Sequence, residues 1–193
     1  FTGLLPGTYT VREVQQNGWT KTTTNPFDIV AVSGQNVADI NFGNFQNISI
    51  SGQKFNDING NGVKDAGDNG LSGWTIFLDA NGNGSLDVSE VNTATDGSGN
   101  YNFTGLLPGT YTVREVQQNG WTKTTADPSD ISAVSGQNIS GIDFGNFQNV
   151  VISGQKYNDM NGNGVKDAGD NGLSGWTIFL DANGNGTFDG GEV

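Results

Sequence analysis

Cysteine and histidine are both missing from these 193 residues. Without cysteine there are no disulfides and no thiolate metal sites. Without histidine, Ser-His and Cys-His nucleophile pairs and most zinc chemistry fall away, so an enzyme is not expected. Basic residues are scarce, 8 Lys and Arg against 20 Asp and Glu, for a formal net charge of −12. No basic stripe is available to neutralise phosphates, which argues against nucleic acid as a partner. No run approaches the roughly 18 apolar residues of a membrane-crossing helix, so direct membrane insertion is not expected. No signal peptide is seen, but the sequence starts inside a repeat, so its absence says nothing about secretion. No stretch carries a 3.6-residue apolar period, which leaves no substantial helix.

What is abundant is acid and glycine, in a fixed arrangement. Four twelve-residue windows, 57–68, 79–90, 159–170 and 181–192, read DINGNGVKDAGD, DANGNGSLDVSE, DMNGNGVKDAGD and DANGNGTFDGGE. Each places Asp, Asn, Asn, Asp and a closing carboxylate at positions 1, 3, 5, 9 and 12, with Gly at position 6. This is the ligand spacing of the EF-hand calcium loop. The expected ligands of the first loop are Asp57, Asn59, Asn61, the Val63 carbonyl, Asp65 and Asp68. Those of the second are Asp79, Asn81, Asn83, the Ser85 carbonyl, Asp87 and Glu90. The third offers Asp159, Asn161, Asn163, the Val165 carbonyl, Asp167 and Asp170, and the fourth Asp181, Asn183, Asn185, the Thr187 carbonyl, Asp189 and Glu192. The loops hold 12 of the 20 acids. Up to four Ca²⁺ would therefore bring the net charge to about −4. Neutral Asn at positions 3 and 5 predicts constitutive binding at micromolar to submillimolar dissociation constants. The closing Asp68 and Asp170 are one methylene shorter than Glu90 and Glu192, which predicts that the first site in each pair either recruits a water or binds more weakly.

The sequence is also repetitive. Residues 1–91 align with 103–193 at an offset of 102, and 75 of these 91 positions are identical. Such a period suits a whole domain in tandem. One complete repeat runs over 47–148, preceded by the second half of a copy (1–46) and followed by the first half of another (149–193). The two halves together lack the equivalent of 92–102. Either the sequence is an excerpt of a longer array, or its ends meet neighbouring copies head to tail. Between the loops, residues that share one face recur at strand period: Ile48, Ile50, Gly52 and Lys54; Trp74, Ile76 and Leu78; Tyr101 and Phe103; Tyr111, Val113 and Glu115; Ile142, Phe144 and Asn146. Turn signals (NGNG, DGSGN, LLPGT, QQNGW) separate them. The fold class predicted is all-β, as tandem antiparallel β-sandwiches carrying EF-hand-like calcium loops.

The stretch GQKFNDINGNGVKDAGDNGLSGWTIFLDANGNG, followed by TDGSGNYNFTGLLPGTYTVREV, resembles the calcium-binding B-type repeats of serine-aspartate-repeat surface proteins. More broadly it is similar to the collagen-adhesin B-type domains of bacterial stalks and pili. The resemblance implies an Ig-like, transthyretin-like sandwich in an extracellular, cell-surface location. It also implies a spacer role stiffened by calcium, with neighbouring repeats or head-to-tail copies as partners. In collagen-adhesin B-type domains a Lys, a catalytic acid and an Asn, in this order, form an intramolecular isopeptide bond. Lys54, Glu115 and Asn146 stand in that order on inward faces, and burial favours the uncharged forms that the reaction needs. The plainer alternative is a Lys-Glu ion pair with Asn146 serving a turn. Glu13, Asn44 and Lys156 are the corresponding residues in the two halves.

A ligand-binding adhesin module, with Trp19 and Trp121 contacting a host protein or glycan, is the rival reading. Trp74 and Trp176 alternate with apolar residues and are expected in cores. LPGTY at 5–9 and 107–111 has Tyr where a sortase signal needs Gly, and it reads as a turn before a strand.

Overall fold

A computed structural model of the chain describes residues 1–191. Among the described residues every regular element is a β-strand. The chain divides into two units, Phe1–Asn149 and Val150–Val193.

Within the first unit, the 47–148 repeat contains ten strands. The alternation of Ile48, Ile50 and Lys54 produces the long β5 (Ile48–Asn56), whose inward residues are buried. It is followed by β6 (Thr75–Leu78), β7 (Asn92–Ala94), β8 (Asn100–Leu106), β9 (Gly109–Tyr111), β10 (Val113–Glu115), β11 (Trp121–Lys123), β12 (Ile131–Ala133), β13 (Asn138–Ile139) and β14 (Phe144–Gln148). A separate β9-β12 ladder aside, one sheet runs β10-β6-β7 and the other β11-β14-β5-β13, with β8 also paired to β5. Between them lie Ile50, Ile76, Leu78, Tyr101, Phe103, Val113 and Phe144 as a single core. Full burial of aliphatic and aromatic side chains of this size contributes about 1.5–3 kcal/mol each. Pairing is antiparallel except at β5, where β13 and β14 both run parallel to it. The first and last strands are therefore neighbours: Phe144 lies opposite Lys54 and Asn146 opposite Asn56.

The approach of the last strand depends on glycine at one point. The Ile142 N–H donates to the Ser51 carbonyl at 3.2 Å, so the incoming chain crosses β5 beside Gly52. A Cβ on Gly52 would lie 1.8 Å from the Ile142 carbonyl oxygen. No side chain can be accommodated there without moving backbone.

The 1–46 segment of this unit forms two short ladders, β1 (Gly7–Tyr9) with β3 (Ile29–Ala31) and β2 (Trp19–Lys21) with β4 (Asn44–Gln46). They repeat β9-β12 and β11-β14 of the complete copy in the same registers. In the second unit, the described residues form no named strand, and one isolated antiparallel bridge joins Tyr157 and Gly172. The equivalent bridge in the complete repeat joins Phe55 and Gly70.

Gly52→Ala is expected to lower unfolding free energy by about 1–3 kcal/mol or more through overpacking. Gly97→Ala, at a position with no atom within 4 Å, should stay within about 0.5 kcal/mol of the parent. Urea unfolding of the two variants side by side checks this.

Candidate functional site

The acidic loops leave the ends of two core strands. In the first, β5 runs straight into Asp57, whose N–H donates to the Asn146 carbonyl at 2.9 Å. The NGNG segment then turns sharply, with Gly60 and Gly62 at φ of 71° and 77°, a left-handed conformation that favours glycine. That turn aims successive N–H groups inward. Asn61 N and Gly62 N donate to the two Asp57 carboxylate oxygens at 3.1 and 2.7 Å. The Asn59 and Asn61 amides both donate to Asp65 Oδ2, at 2.9 and 2.7 Å. Asp68 closes the ring, accepting from Ile58 N and Asp65 N at 3.2 and 2.9 Å. Positions 1, 3, 5, 9 and 12 thus face one another across the loop.

The second loop repeats this arrangement. Asp79 accepts from Gly82, Asn83 and Gly84, Asp87 from the Asn81 and Asn83 amides, and Glu90 from Ala80 N and Asp87 N at 2.8 and 3.0 Å. The shorter Asp68 reaches the same two backbone positions that Glu90 does. In the second unit, Asn161 and Asn163 donate to Asp167, and Asp170 takes Met160 N and Asp167 N. Asn183 and Asn185 donate to Asp189, and Asp181 accepts from Gly184, Asn185 and Gly186. Glu192 lies outside the described residues. Val63 and Val165 are exposed, and Ser85 and Thr187 are at loop surfaces.

Among the described residues no three acidic side chains gather into a metal cluster by themselves. An ion in these loops would need the Asn and backbone oxygens as well as the carboxylates. The donor set of hard oxygens at alternate positions fits calcium in that mixed form. Asp57 is buried, and burial works to raise its pKa. The nearby Thr124 hydroxyl and the N–H groups of Gly62, Asn61 and Gly60 outweigh that and hold it below the usual carboxylate range. Thr124 and Arg114 were not singled out by the spacing pattern. Arg114 Nε, on β10, is 3.8 Å from Asp79 Oδ2, which lies just beyond the end of β6 and is distant in sequence.

The second cluster lies inside the sandwich. Lys54 is fully buried, with Nζ 2.7 Å from Glu115 Oε2, 4.4 Å from the Trp74 ring centroid and 3.4 Å from the Phe144 carbonyl. β5 supplies the lysine, β10 of the facing sheet the acid, and β14 beside β5 the Asn146. Asn146 is wholly buried inside β14, not in a turn, and neither its Oδ1 nor its Nδ2 has a hydrogen-bond partner. An orphaned buried carboxamide is costly, about 1–3 kcal/mol for each unsatisfied group. Burial pulls the Lys54 amine down to about 8, against the upward pull of Glu115. A neutral amine is the nucleophilic form.

Of the four tryptophans, Trp74 is buried and meets Trp121 edge-on at 5.6 Å between ring centroids. Trp121 is thus partly committed to packing. Trp176, expected in a core, is exposed instead, because the described part of its unit supplies no counterpart of β11 or β14 to cover it.

The SdrD B-like domain family matches residues 48–143. That segment belongs to the SdrD B-like domain family. Serine-aspartate repeat-containing protein F of Staphylococcus epidermidis is 30% identical over 212 residues, covering 96% of this chain and 13% of that protein. Protein D of Staphylococcus aureus is 29% identical over 205 residues, covering 93% of this chain and 15% of that protein. The chain therefore spans only a small part of each relative. Among solved structures, the minor pilin GBS52 of Streptococcus agalactiae overlaps 80% of this chain and 66% of its own, at 15% identity and a TM-score of 0.39. Among the described residues no helix is long and apolar enough to cross a membrane.

Lys54 generates a pH dependence with a definite sign. Its folded pKa of about 8 lies below the ordinary lysine value of 10.5, so between these pH values the folded state has lost a proton that the unfolded state keeps. An uncrosslinked variant, Asn146→Ala, should accordingly gain stability as pH rises through this window. Lys54→Met added to it should flatten that slope. Urea midpoints at several pH values decide the matter; a slope unaffected by removing Lys54 rules out this origin.

Proposed function

We propose that the chain is a structural repeat module of a bacterial surface stalk or extracellular fibre, rigidified by calcium in its acidic loops. Repeats join head to tail, in one chain or between copies. The observation that carries this reading is the recurrence of one hydrogen-bonded loop geometry, in the sandwich and in the second unit, whose described residues form no named strand. Asp57, Asn59, Asn61, Val63, Asp65 and Asp68 would hold one ion, and the corresponding residues of the other loops the rest. The ion would supply the positive charge that gathers three carboxylates into twelve residues with no apolar core of their own. Ordering such a segment costs about 1–2 kcal/mol per residue, so an internal tie is needed.

The second part of the proposal is a covalent tie between Lys54 and Asn146. The Lys54 amine attacks the Asn146 side-chain carbonyl, a C–N bond forms, and the original amide nitrogen leaves as ammonia. Glu115 accepts the amine proton and returns one to the leaving nitrogen. The 2.7 Å Lys54-Glu115 contact and the unpartnered Asn146 carboxamide support this role. Its product would join the first and last strands of the repeat.

Two measurements separate the parts. Calcium that binds only the folded state stabilises by about 2.7 kcal/mol per site at a hundredfold excess over Kd. Calorimetry should show a lower melting temperature in excess chelator, with new protease cuts inside the NGNG segments; unchanged melting rejects the calcium role. Intact mass should fall about 17 Da below the sequence mass, one ammonia, and return to it in Glu115→Ala. A parent mass equal to the sequence mass rejects the bond and leaves the ion question untouched.

A further inference from the structure

Asn-Gly pairs are chemically labile links in a chain. Glycine has no side chain to shield its nitrogen, which can attack the preceding Asn carboxamide and close a five-membered imide. The sequence holds twelve such pairs, and eight of them lie in the four acidic loops, at ligand positions 3 and 5. In the complete repeat these are Asn59-Gly60, Asn61-Gly62, Asn81-Gly82 and Asn83-Gly84, and all four asparagines are exposed. Asn119-Gly120, in an exposed turn of the same repeat, supplies an internal reference. Its Gly120 N–H donates to no other group among the described residues.

The closed loops withhold both partners of that reaction. The first Asp of each loop accepts from the nitrogens that would attack. Gly82 N and Gly84 N donate to the two Asp79 carboxylate oxygens, at 2.7 and 2.9 Å. Asp159 holds Gly162 and Gly164, and Asp181 holds Gly184 and Gly186, in the same way. In the first loop Gly62 N donates to Asp57 Oδ2 at 2.7 Å and Gly60 N to the Asp57 carbonyl at 3.2 Å. A carboxylate beside an N–H opposes loss of its proton, and attack needs that proton gone. The electrophile is pinned as well. Asn81 Oδ1 accepts from Asn83 N at 3.0 Å, while its amide donates to Asp87 Oδ2 at 2.7 Å. Asn83 is held between Ser85 N and Asp87 in the same manner. Each carboxamide is thus tied to the nitrogen two residues on, not to its immediate neighbour. Reaching the neighbour breaks both bonds, which requires the loop to open.

We infer that these Asn-Gly pairs are modification sites gated by loop closure: an open loop converts its Asn residues to aspartate or isoaspartate, and a closed one protects them. The Gly nitrogen bonds to the Asn Cγ, the Cγ–Nδ2 bond breaks, and the amide nitrogen leaves as ammonia with the proton that glycine gave up. Water then splits one of the two imide C–N bonds. Cleavage of the new Cγ–N bond leaves Asp. Cleavage of the original backbone C–N bond leaves isoaspartate, whose main chain runs through the side-chain carbon. The two products act oppositely on the loop. Asp at position 3 or 5 adds a fourth carboxylate, and ligand charge raises calcium affinity. Isoaspartate adds a methylene to the backbone, so alternate residues no longer converge. The affinity change rests on the calcium reading proposed above, whereas protection rests on the hydrogen bonds alone.

The test incubates the full chain in chelator at mildly alkaline pH, folded or in urea, and maps peptides for a gain of about 1 Da per site. Isoaspartyl methyltransferase labelling separates isoaspartate from Asp. In urea the loop pairs and Asn119 should react at similar rates. In the folded chain Asn59, Asn61, Asn81 and Asn83 should react at least about tenfold more slowly than in urea, and Asn119 should slow far less. Asp79→Asn should bring Asn81 and Asn83 towards their urea rates while Asn59 and Asn61 stay protected. Loss of protection at all four would mean that the variant has unfolded, and the folded and urea-treated parent then decide alone. Equal loop rates in those two states overturn the inference, as does a folded Asp79→Asn chain whose second loop stays protected. Every arm runs without metal, so failure of the calcium reading leaves these outcomes unchanged.

Discussion

The parallel pairing of β5 with β14 is the constraint on which the rest of the repeat depends. It places the first strand beside the last across most of the sequence separation the repeat allows, and closing so long a loop is entropically expensive. Three features converge at this seam. Lys54 and Asn146 sit on its inward face, the Asp57 N–H bonds to the Asn146 carbonyl, and Gly52 leaves room for the crossing chain. The same few residues therefore close the sandwich, start the first acidic loop and hold the buried lysine. A disturbance at any one of them reaches the other two without passing through the core.

The two near-identical copies show what local sequence can and cannot dictate. Residues 48–56 form a nine-residue strand, while 150–158, with the same ISGQK run, form none. The apolar alternation is present in both. What differs is the availability of β8, β13 and β14 to pair with it, so strand formation here is decided by partners more than by propensity. The loops behave oppositely. Asp181 and Asn183 make the same hydrogen bonds as Asp79 and Asn81 although no sandwich surrounds them. Their geometry comes from left-handed glycines and side chains two to six residues apart, which is why spacing alone revealed it.

By the same reasoning, some residues of the site could not be read from sequence. Alternation correctly turned Lys54, Glu115 and Asn146 inward, since the period of two fixes a face once a strand exists. Nothing in the spacing could say that Arg114 would approach Asp79, or that Thr124 would lie near Asp57, because both contacts join segments distant in sequence that only the topology brings together. The exposure of Trp176 was missed for a related reason. Its sequence environment is that of Trp74, but the shielding of Trp74 comes from Trp121, which lies 47 positions away.

The direction of the seam also bears on load. The chain enters the repeat at the start of β5 and leaves at the end of β14, and these strands run the same way. Tension between neighbouring repeats would thus pull along both strands in opposite senses and load their hydrogen bonds in shear. Bonds arranged in this way must yield together, unlike those of a hairpin peeled from one end. Asp57 extends this resistance, because its N–H bond to Asn146 adds the base of the first loop to the sheared set. A loop that stays closed keeps that bond aligned, and a loop that opens frees the end of β5. Ordering of the acidic segment and mechanical strength of the sandwich are consequently two aspects of one contact.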